Sequence, residues 1–247
     1  MNTTSSIRVA VVTGSSRGIG REVALRLAAE GYAVVVNYAG NADLADQVVR
    51  TITDKGGQAI AVQADVADEV AVAAMFDAAE QNFGGIDVVV NAAGRMVLGP
   101  LAEFDLDALD AMHRTNIRGT YVVDQQAARR VRDGGAIINF STSVTRTSFP
   151  NYSAYVASKA AVEGITLILA RELRGRNITV NSVAPGPTGT DLFLDGKSQD
   201  EIDRLANAVP LQRLGLPSDI AELVNFLASP AGHWVNGQDI KVNGGLA

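Results

Sequence analysis

The feature that most limits what this chain can become is an alternation. Runs of strand length, rich in Val, Ile and Ala, take turns with longer segments whose apolar residues recur every three or four positions. Ile7 to Val12 reads as a strand ending at Thr13-Gly14. Gly18 to Glu30 comes next as a helix with Ile19, Val23 and Leu27 on one face, and Gly31 sits where a helix-capping glycine belongs. Tyr32 to Val36 is a second strand, Asn41 to Lys55 a helix, Gln58 to Gln63 a third strand and Asp68 to Phe83 a third helix. Ile86 to Val90 is an apolar run of the kind found in strands covered on both faces. Beyond it the pattern predicts a helix over Leu106 to Arg132, bent near Gly119, a strand over Ala136 to Phe140, and a long helix over Ser153 to Arg174. A strand over Ile178 to Val183, a helix over Pro217 to Leu227 and a short strand over Asp239 to Val242 complete it. The stretch from Gly186 to Pro210 has no clear period and reads as a mobile loop or short helices. About seven strands alternating with helices predict right-handed βαβ units and a doubly wound α/β fold, with a mostly parallel sheet between helical layers. No linker, charge block or fixed-period repeat interrupts the 247 residues, so one domain over residues 1–247 is expected.

Composition removes several functions. The chain has no Cys, which excludes disulfides, thiolate metal sites and a cysteine nucleophile, and only two His, His113 and His233. No metal site is expected. The net charge of −6 argues against nucleic acid and against an anionic membrane surface. No apolar run reads as approaching the roughly 20 residues of a spanning helix, and the first residues, MNTTSSIR, lack the pattern of a secretory signal. A cytoplasmic protein is the expectation.

In doubly wound sheets, ligands bind beyond the carboxyl ends of the strands, so the residues after each strand are informative. The first strand leads into Thr13-Gly14-Ser15-Ser16-Arg17-Gly18-Ile19-Gly20. Glycines there let backbone amides approach a pyrophosphate, and the next helix N-terminus favours an anion. The spacing differs from the G-x-G-x-x-G dinucleotide fingerprint. The second strand ends at Val36-Asn37-Tyr38 with no acid to bond a ribose 2′-hydroxyl, while Arg17 can pair with a 2′-phosphate; this charge logic favours NADP(H) over NAD(H). Asp65-Val66, Asn91-Ala92-Ala93-Gly94, Ser141-Thr142-Ser143 and Pro185-Gly186 come after later strands. Of the five Tyr, only Tyr155 has a Lys four residues later, Lys159, on the same helical face. A phenol titrates near 10, and a neighbouring cation lowers that value, so the pair suits proton transfer at a carbonyl or alcohol.

Taken in order, TGxxxGIG after the first strand, NxAG after the fourth, YxxxK on the long helix and PG after the sixth resemble the short-chain dehydrogenase/reductase family, from about Arg8 to Gly245. Within it the chain is similar to beta-ketoacyl-acyl-carrier-protein reductase-like members, through residues 13–20 and the run Arg213-Leu214-Gly215-Leu216-Pro217-Ser218-Asp219-Ile220-Ala221. The resemblance implies a Rossmann-type fold and hydride transfer between NADP(H) and a carbonyl substrate, with Tyr155 as general acid/base and Lys159 as its electrostatic partner. It implies that Asn116 holds a water in a proton relay. It assigns Asp65 and Val66 to adenine, Asn91, Ala92, Ala93 and Gly94 to the cofactor wall, and Pro185, Gly186, Thr188 and Thr190 to the nicotinamide carboxamide. Gly14, Ser16, Arg17, Gly18, Ile19, Gly20 and Asn37 complete the expected cofactor set, together with Tyr155 and Lys159.

Two departures stand out. Ala92 replaces an Asn of the family pattern, and the place of the family's catalytic serine, 13 residues before the tyrosine, holds Thr142. Either Thr142 or Ser143 supplies the second hydroxyl, with Thr142 preferred on register. Met96 to Leu101, Ser143 to Tyr152 and residues 187–210 would set substrate choice. A 3-oxoacyl thioester delivered by an acyl carrier protein competes there with a small ketone or aldehyde, and a cofactor-sensing regulator without chemistry is the alternative of another class. Arg129, Arg130 and Arg132, and Arg171, Arg174 and Arg176, read as charge complementing helix C-termini, or as an acyl-carrier-protein docking surface. Apolar residues on the long helix (Val156, Val162, Ile165, Leu169) exceed what one sheet face covers, and the resemblance implies a homotetramer.

Overall fold

The computed structural model describes residues 7–147 and 149–247; the N-terminal MNTTSS and Ser148 lie outside them. Seven strands form one sheet: β1 (Val9–Thr13), β2 (Ala33–Tyr38), β3 (Ala59–Gln63), β4 (Ile86–Asn91), β5 (Val131–Phe140), β6 (Thr179–Pro185) and β7 (Asp239–Val242). Their order is β3-β2-β1-β4-β5-β6-β7. Every pairing is parallel. The strand order reverses between β1 and β4, which opens a crevice at their carboxyl ends.

Helices cover both faces, and the pleat of β1 shows how. Ala10 and Val12 point into a core shared with α1 (Gly18–Ala29), α2 (Ala42–Thr53) and α10 (Pro217–Ala228). Val9 and Val11 point into the opposite core, built with α3 (Glu69–Phe83), α5 (Gly119–Arg130) and α7 (Ser153–Glu172). Alternate residues of a strand face opposite ways, so a strand buried on both sides must be apolar throughout. Start signals are local: Asp68 accepts hydrogen bonds from the amides of Val70 and Ala71 to open α3, and Gly84 closes it with φ +86°.

Three departures from the sequence expectations have identifiable causes. β5 starts at Val131 rather than Ala136, because Val131 is fully buried and pairs with Ile86 across a register shift. The helix expected over Leu106 to Arg132 divides into α4 (Leu106–His113), a π-helical turn over Arg114–Arg118, and α5, so the bend lies just before Gly119. Of the two readings expected for the stretch after Gly186, the structure has the short helices, α8 (Asp191–Leu194) and α9 (Gln199–Ala208), which Thr190 and Ser198 cap. Finally α7, with 20 residues and mean hydropathy 1.3, is long and apolar enough to cross a bilayer, contrary to the expectation that no stretch approaches this. About a third of that stretch is buried, Val162 and Leu169 in the core among it, while Leu167 and Ile168 are exposed.

One buried acid marks the interior between α5, β5 and α7. Asp124 Oδ2 accepts a hydrogen bond of 2.9 Å from Asn139 Nδ2, which also donates to Thr166 Oγ1 at 3.0 Å. Asp124 Oδ1 and Asn139 Oδ1 are buried with no partner among the described residues. Burial pushes the Asp124 carboxyl from its ordinary 3.8 up to about 7, against the Asn139 bond. The folded protein therefore holds the proton where the unfolded chain has lost it. This contribution to stability is complete below about pH 4 and disappears as pH rises through 7. Asp124→Asn should remove that slope, so that its stability relative to wild type rises by on the order of 2–4 kcal/mol between pH 4 and pH 8 in denaturant titrations. A difference that does not vary with pH would contradict this account.

Candidate active site

A cavity of about 800 Å³ opens over the carboxyl ends of β1, β4, β5 and β6. One end of it is built by the turn between β1 and α1. A Cβ on Gly14, whose φ is +61°, would lie 2.8 Å from Ala93 Cα, and one on Gly20 would lie 2.5 Å from the Gly14 carbonyl oxygen. Only glycine lets this loop lie flat against the β4 loop and enter the helix. Arg17 occupies the cap position of α1 without a side-chain cap bond, which leaves the first helical amides available to an anion.

Asn37, at the end of β2, is buried and fastens this loop. Its Oδ1 accepts from the Gly14 amide at 3.1 Å, and its Nδ2 donates to the Ala64 carbonyl at 3.1 Å. No acid stands at that position. Exposed Arg17 sits at the same end of the cavity, which the β2–α2 turn of Ala39, Gly40 and Asn41 also lines. Both the glycine cradle and the acid-free strand end fit a phosphorylated dinucleotide. Next to them, Asp65 pairs with Arg114 at 2.5 Å. Although burial opposes it, the Ala67 amide and Arg114 hold the Asp65 carboxyl below the usual carboxylate range.

The other half of the cavity holds the residues that can move protons. Tyr155 and Lys159 project from one face of α7. Thr142 lies beside the Tyr155 phenol, and Lys159 Nζ donates to the Phe140 carbonyl at 2.8 Å. Burial dominates both groups: it pushes the Tyr155 phenol up to about 12, with the Thr142 hydroxyl acting the other way, and the Lys159 ammonium down to about 8. The expected lowering of the phenol by Lys159 does not appear here: burial raises it, and Lys159 is not among the groups acting on it. The phenol stays protonated at neutral pH, the state needed to donate to a carbonyl oxygen.

Most sequence-predicted residues line this one cavity: Gly14, Ser16 to Gly20, Asn37, Asp65, Val66, Ala92 to Gly94, Thr142, Tyr155, Lys159, Pro185, Gly186, Thr188 and Thr190. Three expectations need correction. Ser143 borders the cavity, but its hydroxyl donates to the Ala184 carbonyl at 3.0 Å and accepts from Asn243 Nδ2 at 3.0 Å, so it does not face Tyr155. Asn91 is not on the wall; it is a buried strut that accepts from Thr13 Oγ1 at 3.1 Å. Asn116, fully buried on the π-helical turn, also lies behind the wall. It accepts from the Arg95 amide at 2.8 Å and donates to the Arg95 carbonyl and to Ser158 Oγ, which occupies both of its N–H groups.

Sequence reasoning missed Arg114, Leu246 and the Ala39–Asn41 turn, all on the cavity wall. Nothing local distinguishes them, although the π-helical break was foreshadowed by the bend before Gly119. Of the two arginine clusters, half are consumed internally. Arg130 bonds Asp77 and Glu80, Arg132 lies 3.4 Å from Asp87, and Arg176 holds Asp133 and the carbonyls of Ala128 and Val131.

A family model described as enoyl-(acyl carrier protein) reductase matches residues 14–247. A short-chain type dehydrogenase/reductase of Picea abies is 46% identical over 248 residues, covering 96% of this chain and 92% of the relative. An NADPH-dependent aldehyde reductase-like protein, chloroplastic, of Arabidopsis thaliana is 44% identical, over 96% and 93%. A 3-oxoacyl-acyl-carrier-protein reductase of Staphylococcus aureus is also 44% identical, over 96% and 97%. The solved structure of a short chain dehydrogenase from Burkholderia cenocepacia in complex with NADP matches with a TM-score of 0.91 and 41% identity, over 99% of each chain. With its parallel sheet, glycine cradle and Tyr155–Lys159 pair, this chain belongs to the short-chain dehydrogenase/reductase family.

Proposed function

We propose that this NADP-dependent oxidoreductase reduces a ketone or aldehyde to the alcohol, with Tyr155 as the proton donor. The observation that carries the reading is the placement of Thr142 beside the Tyr155 phenol and Lys159, on the wall of a cavity whose far end fits a dinucleotide. The NADP complex of the Burkholderia relative and the name of the Arabidopsis relative support the cofactor. When bound, NADPH supplies the hydride. Arg17 and the first amides of α1 hold its phosphates, Asp65 and Val66 its adenine, Ala92 to Gly94 its length, and Pro185, Gly186, Thr188 and Thr190 its nicotinamide end. The substrate oxygen lies between the hydroxyls of Thr142 and Tyr155. Tyr155 gives up its proton as negative charge grows on that oxygen, and the Lys159 ammonium stabilises the phenolate left behind. Asn116 fixes the Arg95–Met96 turn beside this point.

The substrate end of the cavity is lined by Met96, Phe149, Tyr152, Leu192, Phe193 and Leu205. That wall favours an organic carbonyl compound with an apolar body over a charged sugar. A 3-oxoacyl thioester on an acyl carrier protein is the second reading, supported by the Staphylococcus relative and by Arg129, Arg171 and Arg174. Because Arg130, Arg132 and Arg176 are already paired within the chain, the small-molecule reading is the stronger. A homotetramer belongs to the same proposal: Val162 and Leu169 are buried in the chain's own core, while Leu167 and Ile168 on α7 and Tyr121 on α5 stay exposed.

Tyr155→Phe should lower turnover by about 10²–10⁴-fold while NADPH binding, followed by fluorescence, is retained. Wild-type turnover in that variant would overturn the assignment, and NADPH binding without turnover of any carbonyl by the wild type would favour a sensor. Because Lys159 loses its charge as pH rises through about 8, kcat/KM for reduction should fall on the alkaline side of that value, and a flat profile to pH 10 would count against its role. Arg17→Ala should raise KM for NADPH by about 10-fold or more and leave KM for NADH nearly unchanged. A panel of ketoacyl thioesters, aldehydes and quinones separates the substrate readings.

A further inference from the structure

Three consecutive residues at the end of β5 and just beyond it, Asn139, Phe140 and Ser141, are each hydrogen-bonded to a different residue of α7, and the next, Thr142, lies beside Tyr155. Asn139 bonds Thr166 at 3.0 Å, the Phe140 carbonyl takes Lys159 at 2.8 Å, and Ser141 Oγ donates to Glu163 Oε1 at 2.7 Å. Tyr155, Lys159 and Glu163 stand four residues apart and so share one helical face. The proposed reaction uses the first two and leaves Glu163 without a role.

Glu163 also reaches past Ser141. Its Oε2 lies 3.4 Å from Arg146 Nη2 on α6 (Val144–Thr147), the turn of helix directly after the hydroxyl-bearing segment. On the far side of Thr142, Ser143 is fixed by the Ala184 carbonyl and Asn243. Thr142 is thus the middle hydroxyl of three, and its two neighbours are staked in different directions. Ser141 is almost fully buried, and a hydrogen bond from a buried hydroxyl to a carboxylate is stronger than a neutral one. The Arg146 contact is longer and more exposed, and such pairs contribute little. The Ser141 bond therefore carries the effect.

We propose that Glu163 is a positioning residue for the reaction: by accepting from Ser141 it holds the segment after β5 so that the Thr142 hydroxyl faces Tyr155, without itself touching substrate. The inference rests on the reading of Thr142 and Tyr155 as the carbonyl-binding pair. It goes beyond that reading by assigning the orientation of Thr142 to a carboxylate behind the site. Glutamine keeps an acceptor oxygen in the same place, so the charge itself is dispensable.

The test measures Glu163→Ala, Glu163→Gln, Ser141→Ala and the Glu163→Ala/Ser141→Ala double variant on one carbonyl substrate, with melting temperatures alongside. Glu163→Ala should lose about 10–100-fold in kcat with KM for NADPH unchanged, because a small displacement of a reacting group is costly while the dinucleotide end lies elsewhere. Glu163→Gln should stay within about three-fold of wild type, and the double variant should be no slower than either single one, since both remove the same bond. If Glu163→Ala does not fold, Ser141→Ala must show the same kcat loss by itself. Wild-type kcat in Glu163→Ala or Ser141→Ala, equal loss in Glu163→Gln, or losses that multiply in the double variant would each overturn the proposal. Tyr155→Phe, run in parallel, keeps the two ideas apart: wild-type turnover there removes the underlying reading, whereas an inactive Tyr155→Phe beside an unaffected Glu163→Ala removes only the positioning role.

Discussion

The helix α7 lies against the end of β5, and the ammonium of Lys159 is driven into that seam to reach the Phe140 carbonyl at 2.8 Å. A buried lysine is costly, and the cost shows as a pKa pulled down to about 8. The seam tolerates it because the surrounding contacts are polar and directional, Thr166 with Asn139 and Glu163 with Ser141, and Tyr155 lies beside Thr142. Remove the ordering of α7 on β5 and the phenol, the second hydroxyl and the cation no longer share one point in space. Substrate chemistry, cofactor approach and the position of α6 all depend on this one contact surface.

The opposite end of the cavity obeys a different constraint, one of space rather than charge. Gly14 and Gly20 are needed because the backbone of the first loop lies on the Ala93 segment and on itself. Asn37 then ties that loop to the ends of β2 and β3. The acid-free end of β2 and the exposed Arg17 belong to the same end of the cavity. Two halves with separate physical logic meet over β4 and β5, where hydride donor and proton donor have to be brought together.

Much of this was legible in the residues. The alternation of strand and helix periods located every strand of the sheet, and the TGxxxGIG and YxxxK spacings located both ends of the cavity. Where the reading slipped, tertiary contacts had overruled local pattern. Val131 left the predicted helix because the core accepted it beside Ile86. The family resemblance gave Asn91 a place on the cofactor wall and Asn116 a water to hold, whereas in the structure the Asn91 side chain ties β4 to β1 and the Asn116 side chain holds the Arg95 backbone. Arg114 carried no local signal, since its place on the cavity wall arises only when the π-helical turn swings it to Asp65.

The sequence by itself determined the parallel architecture, the edge of the sheet that binds, and the chemical types gathered there, because periodicity and glycine placement act through local backbone geometry. Register preferred Thr142 over Ser143, but only the tertiary structure showed where each hydroxyl is directed. β6 offers the Ala184 carbonyl to Ser143, and α7 places Tyr155 beside Thr142. The same is true of the phenol and ammonium, whose titration depends on burial that no spacing of residues can express.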